Sequence, residues 1–342
     1  MLRVDDMTLR IGTRMYHDQA TAESTSSYVL SFVWWPLLYF GALVGAWFAF
    51  ASNAPIMWFN AVYAALLGAI FLLERATPHR LEWLDHDGET LNDIGHTLLT
   101  KGAAQLAVAA TSIVPMAVAT VTRADDHVSQ LWPTQWPLIA QVVLALVIAE
   151  FGLYWSHRIA HENLFFWRFH ALHHSVVRLW VVNTGRFHVV DSLIKMALSQ
   201  APLYLLDAPL QVFLWVGAVT AITGLLTHCN VETRTALFDP IFATPKLHRW
   251  HHSKTLKEGN SNYCENIMIW DHVFGTYLNP DKASPDKLGI SGKVAPDFVG
   301  QIMQPFSRKG TQQILGRRVE NEGEKAAEEN ASAPTVGRIS EA

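Results

Sequence analysis

Two phrases in this chain nearly repeat each other. "WRFHALHHS", Trp167 to Ser175, holds His170, His173 and His174, and "LHRWHHS", Leu247 to Ser253, holds His248, His251 and His252. Both sets are spaced i, i+3, i+4, so a helix presents each on one face. The stretch "YWSHRIAH" adds His157 and His161 at i, i+4. Neutral imidazole is the commonest side-chain ligand for first-row metals. Eight imidazoles are more than one ion uses, since zinc takes four ligands and an octahedral ion six, so the number suits a two-metal site. Iron, zinc, copper and nickel all accept imidazole without thiolate, and ligand softness does not choose among them. The isolated His17, His79, His86, His96, His127 and His272 read as ordinary surface or interfacial residues.

The elements that position these faces belong to an oily chain. Half of its 342 residues are hydrophobic and only 16% are charged, where soluble domains carry about a quarter. That deficit points to an integral-membrane, all-α helical bundle. A net charge of -4 without a basic stripe gives no case for nucleic acid. The two cysteines, Cys229 and Cys264, are too few for a four-cysteine zinc site, an iron–sulfur cluster or a disulfide framework.

Residues 1–27 form a polar N-terminal tail without the early apolar core of a signal peptide. Residues 28–135 read as a transmembrane region and 136–280 as the catalytic region. Four stretches have spanning length: Tyr28–Ala51, Pro55–Leu73, Thr97–Val121 and Trp136–Trp155. In the third, Lys101 is expected to snorkel to the interface. Val189–Leu206 and Pro209–Leu226 make a further apolar hairpin, whose first arm is amphipathic through Asp191 and Lys195 and so re-entrant or interfacial in character. From residue 307 to 342 the chain is polar and poor in aromatics, the signature of a disordered tail.

Arginine placement orients the bundle. Arg3, Arg10 and Arg14 precede the first helix, Arg75 and Arg80 follow the second, and Arg158, Arg168, Arg178 and Arg186 follow the fourth; Arg123 stands alone between the third and fourth. The consistent solution makes the histidine-bearing helices a cap on the cytoplasmic face. Thr244 and Pro245 mark a helix start just before the last histidine set.

With "YWSHRIAH", "WRFHALHHS", "TPKLHRWHHS" and "NSNYCENIMIWDHVFGTY" in hand, Phe151 to Tyr277 resembles the fatty acid hydroxylase/sterol desaturase superfamily of membrane diiron oxygenases. The resemblance gives weight to two more histidines. His188, in "NTGRFHVVD", falls where the family has Arg-x-His-Pro before a Glu; here Val189 replaces the proline and Asp191 the acid. His228, in "LLTHCNV", falls on a family histidine before Asn-Val. By residue type alone, a single histidine at a helix end is more often a cap or a packing residue. The resemblance implies ten metal ligands: His157, His161, His170, His173, His174, His188, His228, His248, His251 and His252.

Glu150 lies two helical turns before His157 on the same face, and a carboxylate inside a spanning helix is a functional candidate. It, Asn183, Arg186 and Asp191 are expected to support ligands from behind or to touch substrate. Asn262, Tyr263, Trp270 and Asp271 match the family and are expected to brace the last histidine set.

The resemblance implies two ferrous ions that use O2 and two external electrons to hydroxylate a C–H bond of a lipid, or to desaturate it by the same chemistry. No electron-transfer module occurs in the chain, so a separate donor protein (a reductase, a ferredoxin or a cytochrome b5 type) is expected, with Lys254 and Lys257 as possible docking residues. The competing classes are a membrane metal-binding or transport protein, a membrane zinc hydrolase and a bis-histidine haem protein. The hydrolase is disfavoured because "HENLF" lacks the second histidine of H-E-x-x-H. Lack of a C-terminal di-lysine signal favours a bacterial inner membrane over the endoplasmic reticulum.

Overall fold

The computed structural model describes residues 25–103, 106 and 131–316, and these are helical, with only isolated β-bridges among them. In chain order the helices are α1 (Thr25–Phe50), α2 (Pro55–Ala76), α3 (Thr90–Gly95) running into a π-helical turn (His96–Lys101), α4 (Leu138–Glu162) and α5 (Leu164–His174). They continue as α6 (Val189–Leu205), α7 (Leu210–Thr227), α8 (Pro245–His251), α9 (Leu256–Gly259), α10 (Ile269–Phe274), α11 (Phe298–Met303) and α12 (Arg308–Leu315).

Four of the described helices are long and apolar enough to cross a membrane: residues 26–50 of α1, then α2, α4 and α7. Three coincide with the spans read from sequence. The expected span Thr97–Val121 lies mostly outside the described residues. The fourth helix is α7, the second arm of the apolar hairpin. Its partner α6, at 17 residues, is too short to qualify, and its buried stripe is largely polar: Asp191, Ser192, Lys195 and Ser199 all face inward. Many apolar side chains of α1 and α2, among them Trp47, Phe48, Ile56 and Leu72, face outward, as a helix surrounded by lipid requires.

One core forms where α1, α2 and α7 meet. Trp35 stacks on Tyr39 at 4.9 Å and packs with Ile70, Ile222 and Leu226. A second joins α4, α6 and α7 through Ala145, Ala149, Leu203, Val212 and Val216. The close approach of α4 to α6 depends on Gly152, where a Cβ would collide with the Leu198 carbonyl.

The C-terminal ends of α2, α4 and α7 lie together. Glu74, near the end of α2, accepts hydrogen bonds from the backbone N–H groups of Val181 (2.7 Å) and Asn230 (2.9 Å). The N-terminal part of α1 is at the same end, since Arg234 N–H donates to the Ser31 carbonyl at 2.8 Å. Residues 307–316, which composition placed in a disordered tail, are ordered, and the rest of that stretch lies outside the described residues. Arg308–Leu315 is a helix capped by Ser307, and Ile314 packs on Trp167 and Ala171 of α5. Ile314, in the polar run "GTQQILGRR", is the apolar anchor that composition alone concealed.

Candidate metal centre

Nine histidines converge at the buried end of the bundle, in two groups. His157, His161, His170, His174 and His251 form the first; His173, His228, His248 and His252 form the second. Within each group the nitrogen that every residue offers lies within 4.8 Å of the others. Local structure sets this up: Asn163 caps α5 by accepting from Phe165 N–H, and Thr244 caps α8 with Pro245 at its first position. The two helices then turn their i, i+3, i+4 faces toward one another. His174 and His252, one from each group, have ring centroids 4.3 Å apart, so the groups form one continuous cluster.

The far side of the rings is held. His157 Nδ1 donates to the Tyr263 carbonyl and His251 Nδ1 to the Ser261 carbonyl, both at 2.7 Å. His170 Nδ1 meets Asp191 Oδ2 at 2.9 Å, and His228 Nδ1 meets Asn183 Oδ1 at 2.9 Å. His173 Nδ1 reaches the Arg186 carbonyl at 3.3 Å, and His161 Nδ1 reaches Asn260 Oδ1 at 3.3 Å. An acceptor on Nδ1 fixes the tautomer whose lone pair is on Nε2. The Nε2 atoms of His157, His170, His228 and His251 are buried without a hydrogen-bond partner. Elsewhere they crowd: His161 and His174 approach at 3.0 Å, and His252 lies 3.1 Å from both His173 and His248, Nε2 to Nε2. Buried lone pairs aimed at each other are costly unless something positive lies between them. The donor set therefore fits two metal ions, one per group.

Burial, with repulsion among neighbouring imidazoles, holds His173, His174, His248 and His252 well below the ordinary histidine range. Burial pushes His251 down to about 3. These rings are neutral at physiological pH, so no proton competes for the metal-facing nitrogens.

The loop from Asn260 to Ile267 carries much of the support. Asn262 adopts φ +54°, a left-handed conformation that asparagine tolerates. Its side-chain amide donates to the Leu247 and Leu278 carbonyls and its oxygen accepts from Leu278 N–H. That bend lets the flanking Ser261 and Tyr263 carbonyls point at two different histidines. Asp271 accepts from Tyr263 N–H (2.9 Å) and Cys264 N–H (2.8 Å) and secures the far side.

Three sequence-chosen residues stand elsewhere than expected. His188 joins neither group: its Nδ1 caps α6 by accepting from Val190 N–H at 3.1 Å, and its Nε2 donates to the Ile302 carbonyl at 3.0 Å. Both nitrogens are used, as the cap reading of an isolated helix-end histidine has it. Glu150 touches no histidine and accepts from the backbone N–H groups of Glu265, Asn266 and Ile267. It acts on the centre only by fixing the supporting loop. Lys101 does not snorkel outward; its ammonium lies 4.8 Å from the Phe187 ring, facing a cavity beside the histidines.

Arg186 is used twice. Its carbonyl meets His173, and its guanidinium pairs with Asp93 and Glu89, both at 2.8 Å. Neither acid was singled out in the sequence. Ser261, Asn260 and Glu265 were likewise missed, and Ser261 acts through its carbonyl, which leaves no side-chain signal to find. Of the isolated histidines, His79 pairs with Glu232 (2.6 Å), His96 with Gln301 (2.9 Å) and His272 with the Pro240 carbonyl (2.8 Å). His17 and His127 lie outside the described residues.

Residues 142–276 match the family model described as fatty acid hydroxylase. The chain is 59% identical over 285 residues to an ornithine lipid hydroxylase of Rhizobium tropici, covering 83% of this chain and 86% of that protein. It is 29% identical over 152 residues to a human alkylglycerol monooxygenase, covering 43% of this chain and 32% of that one. With a Delta(7)-sterol 5(6)-desaturase of Aspergillus fumigatus it shares 28% over 151 residues, 43% and 42% of the two chains. No solved structure matches.

Proposed function

Since this chain belongs to the fatty acid hydroxylase family and is a membrane lipid hydroxylase, we propose that it binds two iron ions and hydroxylates a C–H bond of an ornithine-containing lipid. The observation that carries the reaction class is the pair of all-imidazole groups, tautomers fixed from behind, at the ends of apolar helices. The substrate class follows from the ornithine lipid hydroxylase that matches over most of the chain.

The five-histidine group would hold one iron and the four-histidine group the other. When bound, the pair supplies O2 activation and C–H cleavage. The balance is one lipid C–H, one O2, two electrons and two protons giving one C–OH and one water. The electrons come from a separate donor protein. The chain's own residues perform the rest. Asp191, Asn183 and the carbonyls of Tyr263, Ser261 and Arg186 orient the ligands. The packed ends of α4, α5 and α8 exclude bulk water from the first group. Arginines clustered beside the histidine-bearing helices support a cytoplasmic site in a bacterial inner membrane.

The rigid anchoring of six rings favours catalysis over transport, since a transport site must release its ion. The test is comparative lipid mass spectrometry of cells with and without the protein, with His173→Ala as control. Gain of one oxygen on ornithine lipids, absent from the control, is the expected result. Loss of two hydrogens would assign a desaturase. An unaltered lipidome in a host supplying a competent electron donor, with metal bound in the protein, would favour a metal-binding role.

A further inference from the structure

A cavity of about 310 Å³ lies between α2, α4, α6 and α7, walled by Phe59, Tyr63 and Val216 on the membrane side. It shares Lys101, Lys195, Phe187 and Glu265 with a narrower cleft that reaches His157, His173, His228 and His248. A route therefore runs from the spanning helices to the second histidine group. Its size is at the bottom of the ~300–1,000 Å³ range of ligand cavities, which suits a polar headgroup and not a long acyl chain.

The charged groups that line this space are Lys101, Lys195 and Glu265. Lys195 Nζ is paired with Glu265 at 2.6 Å. Asp191, which does not line the space, meets His170 Nδ1 at 2.9 Å. Lys101 has no ion-pair partner among the described residues, and its Nζ lies over the Phe187 ring, 4.8 Å from the centroid. A cation inside a helical membrane bundle is costly and is retained where it meets an anion or a pathway. An ammonium without an ion pair, bordering the cleft to the histidines, is suited to an anionic group on the molecule that enters.

Resting on the ornithine-lipid reading above, we propose that Lys101 is a specificity-determining residue that receives the carboxylate of the lipid headgroup, with the Lys195–Glu265 pair lining the same space. A carboxylate seated on Lys101 tethers the polar end of the lipid beside His173 and His228, while the rest of the molecule leaves between α2 and α7 toward the bilayer.

The experiment measures equilibrium binding to the full-length, iron-loaded protein in nanodiscs without O2, so that no turnover occurs. The probes are ornithine lipid, its carboxyl methyl ester and phosphatidylglycerol. A charge-assisted contact of this kind is worth about ten- to a hundredfold in affinity. Wild type is expected to prefer the free acid to the ester by at least about tenfold. Lys101→Gln should erase that preference by weakening only the free acid, and Lys101→Arg should keep most of it. A wild-type ratio near one overturns the proposal even if the variants do not fold, and so does a Lys101→Gln protein of unchanged iron content that keeps the preference. Phosphatidylglycerol binding as tightly as ornithine lipid, with the same dependence on Lys101, overturns the carboxylate assignment in favour of a general anion site. If wild type under turnover adds no oxygen to ornithine lipid, the failure lies with the substrate reading and not with Lys101.

Discussion

The two histidine groups have the same chemistry and different surroundings. The five-histidine group is drawn from α4, α5 and α8 and is backed by the Asn260–Ile267 loop and by Asp191. The four-histidine group lies toward α7, and three of its members, His173, His228 and His248, border the cleft that leads to Lys101. Only His157 of the first group borders that cleft. On the proposed reading, the first group would hold its ion enclosed and the second would hold one beside the cleft.

Replacing a ligand is the largest way to break this contrast. His170→Ala removes a fully buried ring from the enclosed group. It should lower bound metal from two ions per chain to about one or fewer and reduce product by at least about a thousandfold, consistent with the loss of a whole catalytic unit. His248→Ala should abolish turnover to a similar extent, yet leave one ion in the first group. Metal analysis of the two purified variants decides it. Equal loss of both ions in both variants would mean that the groups form a single cooperative site.

The supports should separate the groups more gently. Asp191→Asn keeps an acceptor for His170 Nδ1 but removes its charge, and outer partners of metal-bound histidines are typically worth about 10–100-fold in affinity or activity. Asn183→Ala removes the neutral partner of His228 and should cost less, about tenfold at most. Metal titrations of both variants test the order. A larger loss from Asn183→Ala would place the tighter site on the cleft side.

How much of this was legible beforehand follows from what each feature is made of. The histidine faces were visible because helical periodicity is a local property, and α1, α2 and α4 because spanning length and hydropathy are. Nothing local marks the carbonyls of Ser261 and Tyr263 as ring supports, since every residue has one and only the bend at Asn262 aims them. Glu150 was visible as costly, and its cost is met by three backbone donors more than a hundred residues away. Lys101 was placed at the interface because the sequence does not reveal that α6 and α7 turn a polar wall toward it. Ile314 was hidden in a polar tail because one apolar residue has no periodicity.

The enclosed group also depends on how closely α4 approaches α6, which brings Asp191 to His170. Gly152→Ala would drive a methyl into the Leu198 carbonyl. Backbone does not yield as a flexible side chain does, so the helices must separate at a cost of about 1–3 kcal/mol. Thermal unfolding in detergent should show the lowered stability, and His170 should lose its carboxylate partner before His228 loses Asn183. A variant as stable as wild type, with unaltered metal affinity, would show that the α4–α6 contact does not govern the first group.

The smallest effect concerns His188, a family ligand position that the structure uses as a helix cap. The ring accepts from Val190 N–H and donates to the Ile302 carbonyl, which leaves no nitrogen for a metal. Asparagine is also a strong N-cap. His188→Asn should therefore keep both ions and change stability by less than about 1 kcal/mol, while His188→Ala should lose about 1 kcal/mol and still bind two ions. A proline after this histidine would hold the helix start by a fixed backbone angle and a missing N–H. Val189 here supplies neither constraint, so the start of α6 rests on the imidazole itself. Metal content and a melting curve for the two variants separate the roles: loss of an ion from His188→Asn would return His188 to the metal centre.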